Sequence, residues 1–402
     1  MEFSLTALIV VPILAVLAPL VAGVVGRLVK VHVVVFEILL GLLVGPSVLG
    51  LVPHAVFTDQ IADLGLAFLF FMAGNETDYS AIKGRSAVRA LTAWLASLVI
   101  GVLIGIGVGL TTVGGIIIGI ALTSTSLGTI MPVLRDAGDM NSSFGRAVTA
   151  VGAVGEFGPL IAISLFLSGR TTVGAAVVLL GFVVISAVAV FVAARGTTPG
   201  FYRLIGSSLH TSSQLAVRIA VMIVAGLVGL SIALSLDMLL GAFASGVICK
   251  VLLSGAHPEE KELIETKLEA VSFGFLVPIF FINVGITFDL HALFSSSRGL
   301  ILMPVFLLLL LVVRGIPGGF GAPKGSSFVD RSALMLFTAT GLPVIVAVTA
   351  IGVDADYIRA STASALVGAG MLSVLLYPAI AMAQRTRATS RSDPALDPSD
   401  DR

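Results

Sequence analysis

Apolar residues fall along this chain into blocks of roughly 18 to 24, each long enough to span a hydrocarbon core about 30 Å thick as a helix. Thirteen such spans can be drawn, over 5–26, 33–51, 57–74, 87–110, 113–134, 145–167, 172–194, 214–234, 237–253, 267–286, 299–320, 330–352 and 357–383. The polar residues between them test that count, because Lys and Arg collect in alternate loops. Eighteen lie in the odd-numbered loops and the C-terminal tail, against three (Arg170, Arg298 and Arg359) in the even ones. The pattern predicts an all-α polytopic membrane protein with its N-terminus outside and its C-terminus in the cytoplasm. Arg218 and Arg314 are the two basic residues placed within spans.

Composition agrees: 57% of the residues are hydrophobic and 11% charged, with a mean hydropathy of +1.10, where soluble domains run about a quarter charged. No basic residue precedes the first block, so it reads as a retained helix rather than a signal peptide. A single cysteine, Cys249, excludes an internal disulfide and a cysteine metal cluster. Basic and acidic residues balance at 23 each, which argues against a nucleic-acid partner. With neither a P-loop nor a G-x-G-x-x-G after a strand, no nucleotide and no cofactor is expected. Residues 257–265 form a short charged stretch, and 385–402 read as a disordered cytoplasmic tail.

Within the sixth span, Glu156 is the only charge in 147–167. A carboxylate at membrane depth costs several kcal/mol, so it marks an ion or proton pathway by default. Gly152, Gly155, Gly158 and Pro159 surround it, allowing close helix approach and leaving room for water. The plainer reading is a structural carboxylate paired with a neighbouring helix.

Three sequence patterns recur in order. Leu39-Leu40-Gly41 in span two returns as Leu239-Leu240-Gly241 in span nine, and Phe70, Phe71 and Gly74 in span three as Phe280, Phe281 and Gly285 in span ten. Thr123-Ser124-Thr125-Ser126-Leu127 in span five returns as Thr338-Ala339-Thr340-Gly341-Leu342 in span twelve. Matching spans are seven apart, so the copies, about 5–167 and 214–383 with 172–194 as a linker helix, run in opposite directions. That is the inverted-repeat plan of secondary transporters. Spans five and twelve put hydroxyl residues, Gly and Pro at mid-membrane, which predicts two discontinuous helices crossing near the centre. Two continuous, Pro-kinked helices are the alternative. Of the hydroxyls, Thr125 and Ser126 are read as cation ligands, with Thr123, Ser124 and Thr129 supporting them and Thr338 and Thr340 at the opposing crossover. Glu37 lies near a span end, where snorkelling suffices to explain it. Asp63 lines an outer funnel or faces water, and Asn75, Glu76, Asp78 and Asp289 are expected at the interface. All five histidines fall in loops or span edges, which predicts no metal cluster.

Taken together, the segments at 36–51, 64–78, 121–134, 239–247 and 278–290 and the polar span around Thr338 resemble the monovalent cation:proton antiporters, specifically the cation:proton antiporter-2 branch with its Kef-type and NapA-type members. The resemblance covers about 5–382. It implies an NhaA-type fold of ten to thirteen helices, with a core of crossed broken helices, a separate dimerisation domain and a homodimeric assembly. It also implies exchange of protons for Na⁺, Li⁺ or K⁺ by alternating access in a prokaryotic plasma membrane. Kef-type proteins carry a cytoplasmic nucleotide-sensing domain, for which this chain ends too soon. Relatives carry a pair such as Asp-Asp, Asn-Asp or Gln-Asp on the sixth span, the second residue binding the ion; here the pair is Gly155-Glu156. The first Asp of the Asp-Asp type goes with electrogenic exchange, so its absence implies electroneutral exchange through Glu156. The resemblance makes Arg314 a support of the core, bracing broken-helix carbonyls or another acid.

The leading expectation is a proton-coupled cation exchanger rather than an enzyme. An intramembrane protease needs a second acid or a Ser/His pair at depth. A cation channel needs a continuous pore, and a sodium-coupled organic-anion symporter keeps the crossed-helix plan with a different substrate.

Overall fold

Residues 5–26, 32–76, 85–109, 111–140, 142–167, 170–196, 214–294 and 297–392 are described by a computed structural model of the chain. Among them there are helices and no strands, the outcome lipid enforces, since every backbone N–H and C=O must be satisfied within its own segment. Eleven helices are long and apolar enough to cross a membrane, and two shorter apolar ones stand at the second and ninth predicted spans.

In chain order the helices are α1 (Leu5–Val25), α2 (Val33–Val44), α3 (Val56–Glu76), α4 (Arg85–Val108), α5 (Thr112–Leu122), α6 (Leu127–Asp136), α7 (Ser143–Phe166), α8 (Thr172–Gly196), α9 (Leu215–Ala233) and α10 (Met238–Leu253). There follow α11 (Pro258–Thr287) and α12 (Ser297–Gly319), then α13 (Phe328–Thr338), α14 (Pro343–Asp354) and α15 (Ala360–Ser392). The second predicted span, 33–51, is cut to Val33–Val44 because Gly45 leaves the helix in an extended conformation and Pro46 follows. Helix α15 runs on to Ser392, so 385–392 are helical rather than disordered; residues 393–402 lie outside the described ones, as do Asp78 and His210.

Two helices contain a π-turn: Ser272–Leu276 in α11 and Leu310–Gly315 in α12. Each ends two residues before a proline, Pro278 or Pro317. Proline removes a donor from the i→i−4 ladder, and a one-residue slip to i→i−5 bonding absorbs the defect.

Close packing is reciprocal. Helix α2 lies on α11, where Gly41 faces the Ile282 carbonyl and Gly285 faces Leu42 N and Ile38 O. Helix α10 lies on α3, where Gly246 faces Asn75 N and Phe71 O and Gly74 faces Phe243. A β-carbon at any of the four would meet backbone or an aromatic ring, so these are small-residue contacts of the kind that join membrane helices by close approach. The largest buried cluster gathers Phe306, Leu310, Phe337, Leu342, Ile345 and Leu122 around the two helix breaks. Helices α1, α8 and α9 leave large apolar side chains such as Leu5, Val177 and Met222 exposed, as surfaces that face lipid do.

At one end of the bundle Arg385 of α15 ties three elements together. Its Nη1 pairs with Asp139 after α6, its Nε donates to Asp330 of α13 at 3.0 Å, and its guanidinium lies 3.8 Å from the centre of the Phe144 ring.

Candidate functional site

Chain geometry at the two breaks follows from hydroxyls and proline. Helix α5 ends as the Thr123 and Ser124 hydroxyls donate back to Ile120 O and Ala121 O, each at 2.8 Å. Four residues, Thr123–Ser126, then run without helix before Leu127 opens α6. Likewise Thr338 and Thr340 turn their hydroxyls onto Met335 O and Leu336 O at 3.1 and 3.0 Å, and the chain breaks before Pro343. The breaks abut: Ser126 N donates to Thr340 O at 2.8 Å and the Thr125 hydroxyl to Thr338 O at 2.6 Å. Gly341 is obligatory there, since a β-carbon would stand 2.8 Å from Ser124 Oγ. The discontinuous reading of spans five and twelve therefore holds over the continuous, kinked one.

Helix α7 runs past this crossing. Pro159 has no N–H to give Gly155 O, and Thr125 N supplies the missing bond at 3.0 Å. The three glycines expected to leave room for water instead receive side chains: Leu127 against Gly152, Arg314 against Gly155 and Trp94 against Gly158. Side chains rather than open space therefore stand against α7 at these three positions.

Arg314 sits in the π-turn of α12 and is fully buried. Its Nε donates to Thr125 Oγ1 at 2.8 Å and its Nη2 to Val151 O at 2.6 Å. It thus holds a break hydroxyl and a carbonyl of α7, and among the described residues no acid pairs with it. The Thr125 hydroxyl is thereby engaged on both sides, donating to Thr338 O and accepting from Arg314.

Glu156 is 1% exposed, and its Oε2 has no hydrogen-bond partner. Its carboxylate meets the backbone N–H of Leu127, the first residue of α6, so the positive end of a half-helix dipole addresses it. Ser126, one residue earlier and 2% exposed, also has an unpartnered hydroxyl oxygen. The predicted Thr129 instead donates to Ser126 O at 3.0 Å and closes the first turn of α6.

Two polar residues are more buried than their place near a span end suggests, while Glu76, the last residue of α3, is half-buried. Glu37, expected at the interface, is 5% exposed, and Asn75 is 3% exposed. Glu37 and Glu76 line a cavity of about 710 Å³ with His32, Glu269 and three residues of α6, Gly128, Met131 and Arg135. Glu76 also interacts electrostatically with Glu156. Asp289 is exposed and caps a short turn through Ala292 N at 2.7 Å. At the other end of α3, Asp59 accepts from Asn283 Nδ2 at 3.0 Å and lies 3.7 Å from His54.

Comparison with known proteins bears on this geometry. Residues 13–381 match the family described as "Sodium/hydrogen exchanger, transmembrane". The chain belongs to that family. It is 25% identical to the Na⁺/H⁺ antiporter of Enterococcus hirae over 89% of this chain and 92% of that protein. It is 28% identical to YjbQ of Bacillus subtilis (strain 168) over 93% of this chain, and spans 62% of that protein's length. Its fold is that of the sodium proton antiporter MjNhaP1 from Methanocaldococcus jannaschii, with a TM-score of 0.68 at 17% identity over 96% of this chain and 98% of that one. Membership of an exchanger family sets aside the organic-anion symporter and the channel.

Proposed function

We propose that this chain exchanges protons for a monovalent cation, Na⁺ first and Li⁺ or K⁺ second, by alternating access, with Glu156 carrying each in turn. The observation that carries this reading is a buried carboxylate with an unpartnered oxygen at the abutting breaks of two helices. An ionised carboxylate held out of water must be neutralised, and among the described residues no side-chain cation pairs with it. A proton neutralises Glu156 covalently. Na⁺ would do so by ligation, with Ser126 Oγ as the second free oxygen and break carbonyls completing an oxygen shell. Thr125, Arg314, Thr123, Ser124, Thr129, Thr338, Thr340 and Gly155 form the rigid frame around it. Thr125 belongs to this frame rather than to the ligands, because its hydroxyl is engaged by Arg314 and Thr338.

The cavity that reaches Gly128 and Met131 gives access from the face bearing Arg135, expected to be cytoplasmic. Reciprocal packing of α2 on α11 and α10 on α3 supports the inverted repeats, about 5–167 and 214–383, and thirteen crossings. A homodimer in a cell membrane follows from the resemblance, with the exposed apolar faces of α1 and α8 available to a second copy and to lipid.

The test is cation-induced dissipation of an imposed pH gradient in proteoliposomes with Na⁺, Li⁺ and K⁺, with and without a voltage clamp. Wild type responds to at least one cation, independently of voltage, and Glu156→Gln abolishes the response. Because one proton competes with one cation, the apparent KM for the cation rises about tenfold per pH unit as the medium is acidified through the titration of the site. Exchange that survives in Glu156→Gln, or a KM indifferent to pH, would overturn the assignment.

A further inference from the structure

The exchange at Glu156 does not use Glu37, a second carboxylate held within the helix bundle. It is 5% exposed inside α2, lines the 710 Å³ cavity, and has no hydrogen bond or ion pair among the described residues. Unlike Oε2 of Glu156, its carboxylate oxygens are not sealed in packing but open onto the cavity, so what an ionised Glu37 lacks is a counter-charge. Glu76, on the same cavity wall, differs, because Arg135 and Lys250 lie near enough to offset the like charge of Glu269 and Glu265. Among the described residues the cavity thus presents Glu37, Glu76 and Glu269 against one lining Arg, Arg135, and His32. Low-dielectric walls focus that excess negative charge and concentrate cations. A water occupies about 30 Å³, so the space accommodates a cation with its inner hydration shell, unlike the packed crevice at Glu156.

We propose that Glu37 holds a second, hydrated monovalent cation in this cavity, a waiting site from which the ion passes along the first turns of α6 to Glu156. The site differs in kind from the carrier site. Its cation keeps most of its water, Glu37 supplies the counter-charge that no protein cation supplies, and the ion loses its shell only beyond Gly128. Gly128 and Met131 line the cavity from the first turns of α6, the helix whose first N–H, at Leu127, faces Glu156, so the cavity wall and the carrier share one helix end. An ion waiting at Glu37 would therefore raise local cation concentration without taking part in the exchange step.

This proposal rests on the exchange reading, and two measurements separate them. Equilibrium binding of radiolabelled Na⁺ to the purified full chain at alkaline pH is expected to give two ions per chain for wild type. One is expected for Glu156→Gln, one for Glu37→Gln, and none for the double variant. In proteoliposomes Glu37→Gln is expected to raise the KM for Na⁺ about tenfold with kcat held within about twofold. Glu37→Asp, which keeps the charge, is expected to fall between them and guards against a folding artefact. Absence of residual Na⁺ binding in Glu156→Gln, or residual binding that Glu37→Gln leaves unchanged, overturns the waiting site. Loss of kcat rather than a rise in KM, in both Glu37 variants, overturns it too. Should Glu156→Gln still exchange Na⁺ for H⁺, it is the carrier assignment that fails, whatever the binding at Glu37.

Discussion

Replacing Gly155 with Ala sets two opposed effects against each other inside α7. Alanine is the better helix former by about 1 kcal/mol, so on propensity alone the variant is the more stable protein. The structure gives the opposite sign. A β-carbon at 155 would stand 2.8 Å from the guanidinium carbon of Arg314, and closer still to its Nη2 and to the Thr125 hydroxyl. Neither neighbour can give way cheaply, because Arg314 is fully buried and holds Thr125 Oγ1 at 2.8 Å and Val151 O at 2.6 Å. A hydrogen bond from a charged donor contributes about 1.5–3 kcal/mol. Displacing the guanidinium endangers both, so the cost is about 3–6 kcal/mol and the net destabilisation about 2–5 kcal/mol. Thermal and chemical unfolding of the purified protein in micelles measures it. Coupling to the cause is tested in an Arg314→Ala background, where the obstructing group is gone and the added methyl should cost much less than it does alone. Gly155→Ala equal to or more stable than wild type, or equally costly in both backgrounds, would refute the account of Arg314 as the occupant of the vacant pair position.

Two further outcomes follow from the same network. Pro159→Ala restores an N–H that competes with Thr125 N for Gly155 O; amide hydrogen exchange at Thr125 should speed by about tenfold, as for about 1.4 kcal/mol of lost protection, and unchanged protection would deny proline its part in opening α5. Arg385→Ala removes a partly exposed clamp on Asp139, Asp330 and Phe144; unfolding measurements should show a loss of about 1–2 kcal/mol that shrinks as salt is raised, and a loss independent of salt would assign the effect to packing alone.

What the sequence discloses about this protein depends on whether the cause is local. Spans are legible because lipid requires about 20 apolar residues in a row, and Glu156 because it is the one charge in such a run. Both helix breaks are legible because the hydroxyl, Gly and Pro residues that make them are consecutive in sequence. Arg314 bracing Val151 is not, since the contact joins residues 163 apart and rests on a π-turn whose signal, a proline two residues downstream, is common in unbroken membrane helices. The burial of Glu37 and Asn75 was missed for a related reason. Distance from a span end predicts depth in lipid, whereas α1, α6 and α11 gather around Glu37 and α10 packs on α3 at Asn75. The glycines of α7 were correctly read as sites of close approach, yet which side chains fill them is a property of the fold.

Arg314 and Glu156 flank the same turn of α7 without pairing, and that separation bears on electrogenicity. A guanidinium committed to Thr125 and Val151 keeps its charge whether Glu156 holds a proton or a cation. The two loaded forms of the proposed carrier then have equal charge, since H⁺ and Na⁺ each cancel one carboxylate. A membrane potential acts on a moving charge with about 2.3 kcal/mol per 100 mV, and the two half-cycles sense it equally and oppositely. A second acid at 155 would break that balance, and Arg314 fills the place where its side chain would begin. Absence of the acid and position of the arginine are thus one structural fact, and a net current through the exchange cycle, or an equilibrium cation gradient that shifts with clamped voltage, is the result this geometry forbids.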